Sequence, residues 1–146
     1  MSPALASAGY SATPLAQKLG YKDGQRILFI SLPPTLNELR TSRHFVEMAQ
    51  AGWETFTDGD PGYDVIHGFT SRRADLETAA TALREQIDKD GMVWISWPKK
   101  ASKVPTDITE DVIRTVLLPT GLVDVKVAAV DDIWSGLKLV IRKELR

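Results

Sequence analysis

The side chains best suited to chemistry are three small groups of cations and hydroxyls. They are Ser31, the run Ser71-Arg72-Arg73, and Lys99-Lys100 with Ser102. Each group follows an apolar run. Guanidinium and ammonium groups beside hydroxyls suit a phosphate or carboxylate, and arginine can hold either with two parallel hydrogen bonds. Arg72 also opens a helical pattern, where free N–H groups favour an anion. The expected ligand is a small anionic metabolite held by Ser31, Arg72, Arg73, Lys99, Lys100 and Ser102, with Trp97 stacking on a planar part. The same cations fit a solvated surface, and Trp97 equally fits a cap on the core at a strand end. Lys99 or Lys100 would be a nucleophile only if desolvated, which adjacent lysines do not suggest.

Other reactive types are few. There is no cysteine, so disulfide, thiolate and Cys-ligated metal chemistry are excluded. His44 and His67 lack metal-motif spacing such as H-E-x-x-H. His67 lies inside an apolar run and fits a hydrogen-bonded core group; His44 fits a helix surface. Either type of group can act as a base near neutral pH. Asp107, Glu110, Asp111, Asp131 and Asp132 come in clusters. Glu110 and Asp111 fit first-turn helix charges, and Asp131-Asp132 fit a turn. No metal site is expected. No nucleophile elbow, P-loop or G-x-G-x-x-G is present.

Those residues need a scaffold, and the hydrophobic pattern supplies one. Arg26–Leu32, Tyr63–Phe69 and Met92–Trp97 are continuous apolar runs, as buried parallel strands require. Between them, Thr13-Pro14 starts a short helix ended by Gly20. Thr35 with Glu38 forms a capping box for a helix carrying Leu36, Leu39, Arg43 and Val46. A short strand is expected over Trp53–Thr57, followed by the turn Asp58–Gly62. Leu76, Ala80, Leu83 and Ile87 make the apolar stripe of a helix over Arg72–Lys89, with Gly91 ending it. The stretch Ser96–Asp107 is long for a connection without regular structure, and such loops often carry function. Thr109 opens another helix. Leu122–Val130 and Leu137–Lys143 form an antiparallel hairpin around Asp131–Gly136. Strands alternating with helices predict an α/β fold: a mostly parallel Rossmann-like sheet, helices on both faces, and a C-terminal antiparallel hairpin. Residues 1–12 are expected to be a flexible tail and 13–146 a single domain.

The 146 residues carry a formal net charge of -1, which argues against a broad nucleic-acid face. No apolar run reaches the ~20 residues that span a bilayer, and the start lacks a basic and apolar leader. The expectation is a cytoplasmic protein without nucleic-acid or membrane partners.

The element order resembles that of S-adenosylmethionine-dependent methyltransferases. In that family a glycine-rich turn follows the first strand, and an acid at the end of the second binds ribose hydroxyls. Here Ser31-Leu32-Pro33-Pro34 stands at the turn, and Asp58 or Asp60 at the place of the acid. The chain is also shorter than that pattern by at least one strand–helix unit. At the sequence level, Tyr10–Gly20, Trp94–Arg114 and Gly121–Lys143 resemble a bacterial family of domains of unknown function. That resemblance implies the fold and boundaries and no activity. With a Pro-Pro turn where backbone must approach a cofactor, no cofactor is expected. The leading expectation is a non-catalytic methyltransferase-like scaffold that binds a partner protein or itself. Binding or turnover of a small anion is the alternative, and S-adenosylmethionine-dependent methyl transfer a further one.

Overall fold

The computed structural model describes residues 13–146; the expected tail, residues 1–12, lies outside the described residues. Six strands form one sheet in the order β2-β1-β3-β4-β6-β5. They are β1 (Arg26–Ile30), β2 (Glu47–Ala51), β3 (Tyr63–Phe69), β4 (Ile87–Pro98), β5 (Leu122–Ala129) and β6 (Trp134–Ile141). The first four run parallel. β6 is antiparallel to both β4 and β5, so the closing hairpin adds one antiparallel strand. The strand order reverses between β1 and β3, and their carboxyl ends define the place where open α/β sheets bind ligands.

Both faces are covered. Helix α1 (residues 13–18) and the 3-10 segment Pro34–Thr41 lie on one face, where Leu19, Tyr21 and Leu39 meet Phe29, Val65 and Trp94. Helices α2 (Arg73–Gln86) and α3 (Glu110–Leu117) cover the other. There Leu76, Leu83, Ile113 and Leu117 bury against Ile66, Val93, Ile95 and Leu139. The apolar runs of β3 and β4 are buried on both sides, which is why they show no alternation. Thr109 caps α3 by accepting from the Val112 N–H at 3.2 Å, worth about 1 kcal/mol.

Four sequence expectations differ from the structure. The helix expected after Thr35 is a short 3-10 segment that kinks at Leu36. Pro33 is its N-cap, without a side-chain hydrogen bond, so the Thr35–Glu38 box does not form. Ser42 Oγ donates to Leu39 O at 2.7 Å and ends the segment, the usual competition of a short hydroxyl with helical backbone. The chain then extends into β2 as the sheet edge, and Trp53–Thr57 is a turn, not a strand. Finally, α2 stops at Gln86. Ile87 keeps the helical period but begins β4, opposite Tyr63. Gly91 is therefore a strand residue: a Cβ there would lie 2.8 Å from Tyr63 O and 3.0 Å from Asp64 O. Ile87 pairs Tyr63 and Met92 pairs Val65, so the extra residues bulge in β4, and Gly91 within them lets those backbones come together.

Candidate functional site

The carboxyl ends of β1, β3 and β4 bring the sequence candidates to one edge, and the chain itself already partners the arginines there. Arg72 Nη2 is 2.8 Å from Asp75 Oδ1. Burial raises the Asp75 pKa, but hydrogen bonds from Arg72 and Thr70 outweigh it and leave the group below the usual carboxylate value. Arg73 Nε donates to Glu77 at 3.1 Å. The Arg73 backbone N–H, the first of α2, donates to Asp107 Oδ1 at 2.7 Å. The helix terminus expected to meet a ligand anion thus meets a carboxylate of the loop after β4. Thr106 Oγ1 also donates to Ser71 O at 2.8 Å, tying that loop to the end of β3.

Ser31 follows β1 with φ +54°, and its N–H donates to Ala51 O at 2.9 Å. It is exposed, as are Arg72 and Lys100, while Arg73, Lys99 and Ser102 are half-buried. Ser102 Oγ donates to Lys99 O at 2.7 Å and accepts from the Val104 N–H at 3.2 Å. Its hydroxyl therefore holds a turn. Trp97 is buried in the core on the α2 and α3 face. The rim accordingly divides: Arg72 and Arg73 belong to α2 and its acids, while Lys99, Lys100 and Ser102 belong to a separate loop over Trp97.

That loop frames a cleft of about 710 Å³, within the usual range for ligand sites. Trp97, Pro98, Pro105 and Ile108 give it apolar surface, while Lys100 and Lys103 line it from the loop. Glu110, Asp111 and Arg114 line it from α3. The loop is fixed at both ends. Lys99 N–H donates to Ile133 O at 2.8 Å, and Asp107 holds the start of α2. Lys103 sits at φ +62°, a conformation that few non-glycine residues adopt. Arg114 bonds Asp124, Glu110 and Asp111 at 2.9, 2.9 and 3.0 Å. Hydrogen bonds to Asp124 and Glu110 raise its pKa, so it stays charged.

The reversal point between β1 and β3 has a different occupant. Trp53 follows β2, and its indole N–H donates to Phe69 O at 2.9 Å, at the end of β3. Because β1 lies between β2 and β3, the indole spans the carboxyl end of β1. It rests on Gly68, where a Cβ would come 2.6 Å from Trp53 Cη2. Phe56 braces the indole edge-on at 6.1 Å. Outside this aromatic pair, a second cleft of about 540 Å³ reaches α2, with Glu54, Arg72 and Asp75 on its lining. Asp58 and Asp60 are not at this end. Asp60 O accepts from Arg26 at the start of β1, and Gly59 O accepts from Gln86 at the end of α2. The crossover returns to the amino ends of the strands before it reaches these acids.

One polar network lies wholly inside the sheet. Tyr21 Oη is 2.5 Å from His67 Nδ1, and His67 Nε2 is 2.7 Å from Ser96 Oγ. His67 stacks on Phe69 at 4.3 Å. Burial lowers the His67 pKa to about 3 and raises that of Tyr21. His67 is the neutral, hydrogen-bonded core group expected from its apolar run. Its side chain is fully buried. His44 lies exposed in an irregular segment before β2 rather than on a helix. Among the described residues no cluster of three or more His, Asp or Glu could hold a metal ion, and no helix is long and apolar enough to cross a membrane.

No protein-family model matches the chain, and no curated protein matches it. Solved structures do match in fold. An S-adenosylmethionine-dependent methyltransferase from Aquifex aeolicus has a TM-score of 0.64 at 13% identity, covering 90% of this chain and 89% of its own. Magnesium protoporphyrin IX methyltransferase from Synechocystis PCC 6803 has 0.63 at 11%, covering 93% and 82%. Fibrillarin from Aeropyrum pernix, with natively bound S-adenosyl-L-methionine, has 0.54 at 15%, covering 91% and 76%. The fold is methyltransferase-like.

The residues present do not fit the cofactor that this fold implies. Pro33 and Pro34 offer no N–H in the turn after β1. The Trp53 indole crosses the carboxyl end of β1 at the reversal point, bonded to Phe69 O and resting on Gly68. Asp60, one of the two acids expected from the sequence, stands at the amino ends of the strands, and the acid after β2 is Glu54. Sequence reasoning missed Trp53 and Arg114 as residues that shape the rim, and it named Asp107 only among the clustered acids, without its bond to the Arg73 N–H. Only Arg114 had a local signal, with Glu110 and Asp111 four and three positions before it on one helix.

Proposed function

We propose that the chain is a non-catalytic methyltransferase-like binding module that docks a partner protein at the rim. One observation carries this reading: the Trp53 indole rests on Gly68 and bonds Phe69 O, crossing the carboxyl end of β1 beside the strand-order reversal. A partner protein is favoured over a second copy by the sheet edges. β5 is broken by a register shift beside Lys126, and β2 carries Glu47 at its exposed end. Bulges and charges of this kind oppose edge-to-edge pairing.

The likeness to S-adenosylmethionine-dependent methyltransferases supports a second reading, a working methyltransferase. Its specific support in this chain is the outer cleft beside Trp53, where Glu54 is the acid nearest the end of β2. Calorimetry with S-adenosylmethionine and S-adenosylhomocysteine separates the two. The module reading expects no heat of binding up to millimolar cofactor. Saturable binding that Trp53→Ala alters would overturn it in favour of the enzyme.

A further inference from the structure

The cleft over Trp97 has an uneven charge distribution. Lys100 and Lys103 line it from the loop after β4, and among the described residues neither has an acidic partner within ion-pair distance. On the α3 side, a single guanidinium, Arg114, serves three carboxylates: Glu110, Asp111 and Asp124. That side therefore keeps net negative charge, and Asp111 is almost fully exposed. Trp97, Pro98 and Ile108 supply buried apolar surface, and Val104 is 40% exposed beside them. The loop is anchored at Lys99 and Asp107, so this shape exists before any ligand arrives, which lowers the ordering cost of binding.

A metabolite bearing only negative charge would meet repulsion from the α3 side. A ligand bearing only positive charge would meet it from the loop. An apolar body with one charge of each sign satisfies both. If equidimensional, a cleft of 710 Å³ is about 11 Å across, roughly the span of three extended residues.

We infer that this cleft binds a short extended segment of a partner protein, with an apolar side chain set between one acidic and one basic residue. The acid faces Lys100 and Lys103, the base faces Glu110 and Asp111, and the apolar side chain lies against Val104 and Pro105, over the buried Trp97 and Ile108. This deepens the partner-binding reading by naming the chemistry of the partner.

The test is a ¹⁵N NMR titration of the full chain with defined peptides. Ac-Lys-Leu-Glu-NH2 and Ac-Glu-Leu-Lys-NH2 present the mixed charge in both directions. Ac-Lys-Leu-Lys-NH2, Ac-Glu-Leu-Glu-NH2 and Ac-Lys-Ser-Glu-NH2 are the controls. At least one mixed-charge leucine peptide is expected to shift the Trp97 indole and the amides of residues 99–111 saturably. The controls should bind at least about tenfold more weakly, a difference near 1.4 kcal/mol. The double variant K100E/K103E has surface changes only and should retain its dispersed spectrum. It should lose the mixed-charge peptide and gain affinity for Ac-Lys-Leu-Lys-NH2. The inference is overturned if no peptide gives a saturable shift, if like-charged peptides bind equally well, or if the shifts map to the cleft beside Trp53. Its failure is separable from that of the module reading, which depends on cofactor calorimetry and not on these peptides.

Discussion

Gly68→Ala and Trp53→Ala should destabilise the protein singly and compensate one another in combination. In the parent chain the new Cβ of Gly68→Ala would fall 2.6 Å from Trp53 Cη2 and 2.8 Å from Cζ2. The indole cannot retreat freely. Its N–H is held by Phe69 O at 2.9 Å and its edge abuts Phe56. Overpacking of this kind costs about 1–3 kcal/mol. Trp53→Ala removes a half-buried aromatic and should cost about 3 kcal/mol, at the low end for a large aromatic. Once the indole is gone, the Cβ enters empty space. Gly68 has no positive φ, so alanine there should stabilise by about 0.4–1 kcal/mol through the unfolded chain. The double variant should then be more stable than Trp53→Ala alone, with a coupling of about 2–3 kcal/mol. Urea unfolding followed by far-UV circular dichroism measures it. Costs that add to within about 0.5 kcal/mol would show that the indole does not rest on Gly68.

Two further outcomes follow from the rim and the interior. Stability should fall as pH drops below 6.5, because unfolded His67 takes up a proton that the folded state refuses until about pH 3; the slope contributed is up to about 1.4 kcal/mol per pH unit. His67→Gln should flatten urea midpoints across that window, and an unchanged slope would remove His67 as its source. Asp107→Ala should cost about 1 kcal/mol by leaving the Arg73 N–H at the start of α2 unpaired, while Asp107→Asn, which keeps an acceptor oxygen at the same reach, should recover most of it. Equal losses in both variants would mean that the Arg73 N–H does not depend on this bond.

Legibility in the sequence tracked burial. β1, β3 and β4 stood out because strands covered on both faces become unbroken apolar runs. The closing hairpin was legible from its turn residues, and Asp131 does organise that turn by accepting from the Ile133 and Trp134 N–H groups. β2 was not legible, since an edge strand of sequence EMAQA is half-solvated and carries no β-branched residue. The end of α2 was misplaced because Ile87 satisfies the helical period and the strand alike. At the site, the partners Asp75 and Glu77 lie at helical spacing from Arg72 and Arg73 and could have been anticipated. Asp107 could not, because only the tertiary fold brings the loop after β4 to the start of α2.

The place of β6 has a consequence for the order in which the molecule can be assembled. It is the last strand in sequence, yet it lies inside the sheet between β4 and β5. Until it inserts, β5 has no strand to pair with, and β4 presents an open backbone edge flanked by Val93, Trp94 and Ile95. A partly formed sheet with such an edge is prone to pair with other chains. Folding is thus exposed to intermolecular competition until residues 134–141 close the gap. Substitutions in β6, such as at Leu137 or Leu139, should raise aggregation during refolding more than equally destabilising changes in the peripheral strand β2.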